Sequence, residues 1–474
     1  MKNIYKSILF VFIAAGVFTS CDKELNQVPF DELSIENAFL TPADFEAGIN
    51  GVYSSLTRGS YYGGSFLANP DVLSDNVTFS TFGRGTKSTI HNWQYDVTNG
   101  YRGLYQDVFV VIYRSNIILE NLSGFEGDNK DNITGQAMAL RALAHFDAAR
   151  VFSQIPTQSG NANASLSIPL KLSSDPNEQL AQVTVGEMYD FITSELETAK
   201  GLVDATPTAT GQLDKEAISL ILSRAYLYMG RWQDAIDSAN EVTTAVAARD
   251  NVVGVWEDTS TSGLVFYIPN AVETTNSNVG VQWSQGSPAS LIPEYVASFE
   301  LDQLYDEGND IRKEAYIIDS SVSAGDPVNG IKKLLGKDGG FNGVVDIKIL
   351  RAAEAFLNKA EAHFELGQTG PALTALNAVR SNRYTTAPSG ETGDALRDAI
   401  RLERRLEFAF ESQRFFDLKR WNLAINRANF GDLADGTGAP SQILTLDQGS
   451  FKFLLPYDSS TIILNPMIQQ NPGY

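Results

Sequence analysis

The sequence predicts a mainly α-helical protein built of tetratricopeptide-like helical hairpins, with a large loop-rich region inserted among them. Apolar residues recur at three- and four-residue spacing through much of the 474-residue chain, which is the helical period. Two segments share one layout, an Ala-rich helix, a glycine and a second helix. Stretches rich in Gly, Ser, Asn and aromatic residues separate the helical segments, at roughly 57–100, 157–182 and 250–345. Loops of that length are usually functional in a compact protein.

The first twenty residues predict the signal peptide of a lipoprotein. Lys2 and Lys6 precede an uncharged apolar run, 8–17, which is too short for the ~20 residues of a membrane-spanning helix. Its length is that of a signal-peptide core. Cys21 follows directly and is the sole cysteine. We therefore expect cleavage after residue 20 and a lipid on Cys21; an ordinary secretory signal with a coincidental cysteine is the alternative.

Composition excludes several classes of protein. Lys and Arg number 36 against 57 Asp and Glu, so the net charge is −21. Nucleic-acid binding needs a cationic surface and is therefore not expected. A single cysteine permits no intramolecular disulfide, and the three histidines lie far apart without a zinc-binding spacing. No cofactor or metal is predicted.

Five helices are predicted between residues 100 and 250. Thr184 and Glu187 have the spacing of a capping box, which indicates the start of one helix. Gly230 marks the break between the last two. The helices are predicted at 106–121, 134–152, 185–199, 215–228 and 232–245.

A second helical hairpin is predicted at 349–379, with Gly367 at its break. It has the same layout as 217–242, and in both segments small Ala residues occupy the positions where two helices would approach closely. This pattern is typical of tetratricopeptide-like repeats, whose neighbouring pairs bury one another's apolar faces. The alternative is two unrelated helical hairpins in an all-α protein.

The C-terminal part contains the most specific motifs. They are the strings ILRAAEAFLNKAEAHFELG (349–367), ALTALNAVRSNR (372–383), AIRLERRLEFAFESQRFFDLKRW (399–421) and FLLPYDSSTIILNPMIQQNPGY (453–474). In this order they resemble four hallmarks of the SusD/RagB family, and GQAMALRALAHFDAARVFSQIP (135–156) is similar to an earlier helix of that family. The resemblance implies about four tetratricopeptide-like helix pairs with a loop-rich insert. It divides the chain into a signal peptide (1–20) and one unit (21–474), made of N-terminal repeats to 245, an insert at 246–345 and a C-terminal repeat with a closing tail at 346–474.

The charged string within 399–421 allows two interpretations. Glu403, Glu407 and Glu411 are four residues apart and would share one helix face, with Arg404 and Arg414 three residues from Glu407 and Glu411. A catalytic reading makes the carboxylates a general acid/base pair. We interpret them as a structural ion network, because carboxylates matched by arginines have depressed pKa values and are poor acids.

The resemblance implies a surface lipoprotein that captures oligosaccharide or polysaccharide. It implies delivery of that ligand to a partner SusC-type TonB-dependent transporter of the outer membrane, over which the lipoprotein acts as a lid. Asp22 and Glu24, directly after Cys21, resemble an acidic tag that directs some lipoproteins to the cell surface. The expected localisation is therefore the outer membrane, facing outward, with contact to the membrane through the lipid alone.

Sugar capture needs aromatic faces and polar groups that hydrogen-bond hydroxyls. The inserted loops supply both, but the family's binding residues lie in the regions where the match is weakest, so none can be carried over. The predicted ligand-binding residues are Trp93, Trp283, Asp75, Arg84 and Tyr62. If neither Trp93 nor Trp283 binds the ligand, Tyr61, Tyr62 or Trp256 is the next candidate for ligand contact. For each aromatic residue, packing within its loop is the alternative.

Other functions are open at this stage. The family role could apply to peptides rather than glycans. A tetratricopeptide scaffold that binds another protein is a second possibility, although the lipoprotein signal and large loops favour capture at a surface. A polysaccharide-degrading enzyme would need two carboxylates at a cleft, and no catalytic motif is present. We therefore predict a binding protein and no enzyme.

Overall fold

The computed structural model describes residues 38–207, 209–270, 278–287, 290–322 and 325–474. The predicted signal peptide and Cys21 lie outside these residues. Helices make up about 48% of the structure, with little sheet, which confirms the predicted mainly α, tetratricopeptide-like fold. Among the described helices, none combines the length and the apolar character that crossing a bilayer would require.

Sixteen α-helices form within the described residues. They are α1 (Pro42–Leu56), α2 (Ser65–Val72), α3 (Ser88–His91), α4 (Arg102–Asn121), α5 (Lys130–Phe152), α6 (Val185–Leu202), α7 (Lys215–Met229), α8 (Trp232–Asn240), α9 (Val252–Trp256), α10 (Phe299–Leu304), α11 (Ile311–Tyr316), α12 (Ala352–Glu365), α13 (Thr369–Arg380), α14 (Gly393–Glu407), α15 (Arg414–Arg420) and α16 (Ser459–Leu464).

The predicted helix ends are confirmed where local chemistry determines them. Thr184 Oγ1 accepts a hydrogen bond from Glu187 N at 3.2 Å, and Thr184 N donates to Glu187 Oε2 at 2.8 Å, so the capping box at the start of α6 is formed. Gly230 ends α7 with a φ of 70°, and Gly367 follows α12 with a φ of 73°. Both are left-handed conformations that favour glycine.

The helices stack as neighbouring pairs. Helix α4 packs on α1 and α5, α5 on α6, α6 on α7, and α7 on α8. Helix α8 then packs on α12, and α12 on α13 and α14, so the two similar hairpins are adjacent in space although the loop-rich insert separates them in sequence. The alanines of the hairpin at 217–242, including Ala225 on α7 and Ala235 and Ala239 on α8, are fully buried, which allows the close approach that the sequence predicts.

Short antiparallel strands connect the inserted segments. The principal sheet has the order β1 (Val77–Phe79), β7 (Tyr295–Ala297), β9 (Pro327–Ile331) and β8 (Ile317–Ser321), with Val77 opposite Ala297 and Phe79 opposite Tyr295. It therefore joins the stretch at 57–100 to the stretch at 250–345. The strands are β1 (Val77–Phe79), β2 (Leu166–Pro169), β3 (Gln182–Thr184), β4 (Leu264–Ile268), β5 (Ser284–Ser287), β6 (Ser290–Pro293), β7 (Tyr295–Ala297), β8 (Ile317–Ser321), β9 (Pro327–Ile331), β10 (Ile347–Arg351), β11 (Ile425–Asn426) and β12 (Thr445–Leu446).

Candidate functional site

Two inserted segments meet at a polar surface, which we call the loop surface and define as residues 81–87, 282–287 and 290–294. Its centre is the carboxylate of Glu294, directly before β7. Arg84 Nε donates to Glu294 Oε1 at 2.5 Å, and Thr86 Oγ1 donates to Glu294 Oε2 at 2.8 Å. The backbone N–H groups of Arg84 and Thr86 also donate to this carboxylate, each at 3.3 Å. One buried carboxylate thus holds the loop in place.

The electrostatics of the loop surface follow from this arrangement. Burial alone would raise the pKa of Glu294, but the hydrogen bonds from Arg84 and Thr86 outweigh it and hold the pKa below its usual value. Lys87 donates to Gln282 Oε1, and burial lowers the pKa of Lys87 to about 8 although Glu294 opposes the shift. The carboxylate of Glu294 is therefore ionised at neutral pH.

Arg84 is the group of this surface that is best placed to meet a ligand. Its side chain is 54% exposed, whereas that of Glu294 is 1% exposed. With the Gln285 amide oriented so that its oxygen faces the guanidinium, that oxygen lies 3.0 and 2.9 Å from Arg84 Nη1 and Nη2. The guanidinium is held from both sides and retains access to solvent. An oriented, always charged donor of this kind can hydrogen-bond sugar hydroxyls or carbonyl oxygens.

The two predicted tryptophans lie in the interior. Trp93 is 5% exposed, its Nε1 donates to Leu73 O at 3.0 Å, and the Arg427 guanidinium lies 3.9 Å from its ring centroid. Trp283 is 1% exposed and packs edge-on against Tyr295 and Phe410. These are packing contacts behind the loop surface. Ligand contact by either ring stays a prediction.

Asp75 and Tyr62 are also buried and have protein partners. Asp75 accepts two hydrogen bonds from Arg414, each at 2.8 Å, and lies 3.4 Å from Arg405. The Tyr62 hydroxyl donates to Asp147 Oδ2 at 2.6 Å. Of the five predicted ligand-binding residues, Arg84 alone has an exposed side chain. The predicted lipid anchor, Cys21, lies outside the described residues.

Sequence reasoning did not single out Glu294, Lys87, Gln282 or Gln285. Glu294 and Arg84 are 210 residues apart, and Lys87 and Gln282 are 195 apart, so no local spacing connects them. The sequence identifies only the long inserted stretches at 57–100 and 250–345, in which these four residues lie.

The charged string in the C-terminal part forms an ion network, but the predicted pairs within it are wrong. Helix α14 ends at Glu407, and Phe410 and Ser412, each with a φ of 66°, break the helix before α15 begins. Arg404 pairs with Asp417, at 3.1 Å, and not with Glu407, although both Arg404 and Glu407 lie in α14. Arg414 pairs with Asp75 and not with Glu411.

Glu407 is the most heavily paired carboxylate of this network. It accepts two hydrogen bonds from Arg383 and one from Arg351, all at 2.8 Å, and is fully buried. Burial would raise its pKa, but the two guanidinium groups outweigh burial and hold the pKa well below its usual value. Such a carboxylate stays ionised and is a poor proton donor. In the described part of the chain, no group of three or more His, Cys, Asp or Glu residues could hold a metal ion.

Comparison with known proteins connects this architecture to a family. Residues 330–474 match the model of the SusD family, and residues 30–227 match a model described as starch-binding associating with outer membrane. The chain belongs to the SusD/RagB family. SusD-like protein P2 of Formosa agariphila is 23% identical over 95% of this chain and 96% of its own length. Neither family model reaches residues 228–329, the segment that contributes Gln285 and Glu294 to the loop surface.

Solved structures of the SusD superfamily are similar over nearly the whole chain. A putative sugar binding protein from Bacteroides vulgatus superposes with a TM-score of 0.81 at 25% identity, covering 92% of this chain and 99% of that protein. A SusD superfamily protein from Bacteroides thetaiotaomicron has a TM-score of 0.80 at 24% identity, covering 91% and 100%. The helical stack and the inserted loops are therefore the SusD fold.

Proposed function

We propose that the chain is a cell-surface lipoprotein of the outer membrane that captures oligosaccharide or polysaccharide at the loop surface. It returns the glycan unchanged and passes it to a SusC-type TonB-dependent transporter. The observation that carries the proposal is the exposed Arg84 guanidinium, held by Glu294 and Gln285 where two inserted segments meet. Family membership and the likeness to a putative sugar binding protein support carbohydrate as the ligand.

The ligand-binding test compares two arginines. Arg84→Ala removes the exposed guanidinium, and Arg231→Ala removes one that is similarly exposed, 45%, and similarly paired, to Asp234 on α8. Hydrogen bonds to charged groups are worth roughly 1.5–3 kcal/mol, so Arg84→Ala should weaken glycan binding about tenfold or more. Retardation in native gels containing starch, xylan, mannan or β-glucan provides the measurement. Equal retardation of both variants would show that Arg84 does not contribute to glycan binding.

Peptide cargo is the second candidate, because a guanidinium also binds carboxylates and peptide carbonyl groups. Titration of a tryptic digest of casein against the wild-type, Arg84→Ala and Arg231→Ala proteins distinguishes peptide binding from glycan binding. Retention of peptides without retention of any polysaccharide would replace glycan by peptide in the proposal. Binding of neither would favour a scaffold that recognises a folded partner.

Anchoring and delivery have tests of their own. Wild-type protein should incorporate labelled palmitate and sediment with membranes, whereas Cys21→Ala should fold normally and be released. Affinity-tagged protein should co-purify from its native outer membrane with a TonB-dependent transporter. Absence of label would contradict the lipoprotein assignment, and purification without any transporter would contradict the delivery role.

A further inference from the structure

A cavity that Arg84 does not line lies beneath a glycine-rich loop at residues 335–343. Its volume is about 230 Å³. Trp256, at the end of α9, and Leu335 are nearly fully buried and line it together with Ile318, which gives it an apolar component. The half-buried ring of Phe341 and the charged side chains of Glu257 and Lys332 complete the lining. We call this cavity the glycine-loop pocket.

The glycine loop is held in shape by its own hydrogen bonds. Gly343 N donates to Leu335 O at 2.8 Å, and Asp338 N donates to Glu257 O, at the end of α9, at 2.9 Å. Gly336 leaves no room for a larger residue, because a Cβ there would lie 2.5 Å from Gly340 O. The pocket is therefore pre-formed, which lowers the entropy that binding a ligand would cost.

The chemistry of the lining favours an uncharged, hydroxyl-rich ligand. Lys332 Nζ lies 3.1 Å from Glu257 Oε1, so the two charges compensate each other, and both side chains keep about a quarter of their surface exposed. They offer donors and acceptors in the pocket that the Phe341 ring also lines, which is the combination that a sugar unit needs. Small-molecule sites usually occupy ~300–1,000 Å³, so this smaller pocket suits one sugar unit better than a peptide segment.

The pocket is joined to the loop surface by a tight backbone contact. Gly280 N donates to Gly343 O at 2.9 Å, and a Cβ on Gly280 would lie 1.9 Å from Leu334 O. Gln282, two residues further along, accepts the hydrogen bond from Lys87 of the loop surface. Two residues span at most ~7 Å, so the wall of the pocket begins close to the loop surface.

We propose that the glycine-loop pocket is a second saccharide-binding site, which takes one unit of the same glycan that the loop surface captures. This inference rests on the proposed function. Two sites that engage one polymer raise its overall affinity beyond that of either site alone, without any new contact. A long polysaccharide is therefore retained more strongly than a short oligosaccharide that reaches only one site.

The test combines single and double variants in native gels with starch, xylan, mannan and β-glucan. Phe341→Ala should weaken polysaccharide retention at least fivefold, and the double variant with Arg84→Ala should bind more weakly than either single variant. Phe430→Ala is the matched control, because Phe430 is 42% exposed and lies outside both sites. Glu257→Gln preserves the shape of the pocket and should weaken retention in the same direction if Phe341→Ala does not fold.

The outcomes separate this inference from the proposed function. Undiminished retention in folded Phe341→Ala or Glu257→Gln, with weakened retention in Arg84→Ala, would overturn the second site and leave the proposed function standing. No retention of wild-type protein by any polysaccharide would overturn both. Retention of casein peptides, weakened by Phe341→Ala, would make the pocket a peptide site and contradict the saccharide assignment.

Discussion

Arg414 and Asp75, 339 residues apart in the sequence, form a two-point ion pair in which Nε and Nη2 of the arginine each lie 2.8 Å from a carboxylate oxygen. Both side chains are largely buried, at 12% and 7% exposure. The pair connects the first inserted stretch to α15. The C-terminal charged string thus fastens the loop region to the helical stack, which is a structural role.

Arg414→Ala should destabilise the protein strongly, because it leaves the buried Asp75 carboxylate with Arg405 as its remaining charged partner. Removing one partner of a buried pair costs about 3–5 kcal/mol. Urea unfolding measures the change. Arg397→Ala, in an exposed pair with Asp394, should leave the midpoint near wild type. Equal midpoints for the two variants would show that the Arg414–Asp75 pair does not stabilise the fold.

Glu407 should make stability depend on acid pH. Arg383 and Arg351 hold its pKa in the folded protein well below the unfolded value of about 4.3. Its stabilising contribution is therefore complete above that value and is lost as pH falls towards the folded-state pKa. The difference in unfolding free energy between wild type and Glu407→Gln should be largest at pH 7 and should shrink progressively as the pH falls below about 4. A constant difference would contradict the ion-pair account.

Two glycines should respond to alanine with opposite signs. Gly280→Ala places a Cβ 1.9 Å from Leu334 O and should destabilise by roughly 1–3 kcal/mol, as overpacking does. Gly51 lies inside α1 with no atom within 4 Å of its would-be Cβ, so Gly51→Ala should stabilise by about 0.5–1 kcal/mol. Thermal unfolding of both variants is the measurement. A neutral Gly280→Ala would mean that the glycine loop is not tightly joined to residue 280.

An ordered water should occupy a small interior cavity beside Arg150. The cavity holds about 20 Å³, and a single water needs ~10–15 Å³. Tyr62, Arg224 and Glu354 also line it, and Arg150 Nε and Nη1 have no protein acceptor among the described residues. A crystal structure should show water density bonded to this guanidinium. An empty cavity at high resolution would contradict the prediction.

The helical stack could be predicted from the sequence because its signals are local. The Thr184–Glu187 box and the glycine at 230 determine helix ends within a few residues, and the small alanines of α7 and α8 indicate close packing. The loop surface could not be predicted in detail. From the sequence, Trp283 has the features of an exposed aromatic residue in a loop. In the structure, Tyr295 and Phe410 pack against its ring.

In the ion network, too, the sequence predicts contacts between neighbouring residues better than contacts between distant segments. The spacing of Arg404 and Glu407 predicts a pair on one helix, but the carboxylate that Arg404 binds is Asp417, beyond the helix break. The partners of Glu407 are Arg383, just after α13, Arg351 at the end of β10 and Arg312 in α11, and helical periodicity carries no information about those contacts. The structural role of the string could be predicted from its balance of acidic and basic residues alone. The identity of the ion-pair partners could be read only from the three-dimensional structure.

We propose that this protein binds glycan without altering it, and a calorimetric titration distinguishes binding from hydrolysis. The mature protein is titrated with oligosaccharides prepared from whichever polysaccharide retards it in native gels, and the recovered sugar is analysed for reducing ends. We expect saturable binding, weakened about tenfold or more by Arg84→Ala and unchanged by Arg231→Ala, with the sugar recovered intact. Absence of saturable heat with every oligosaccharide, or new reducing ends after incubation with pure protein, would contradict the claim.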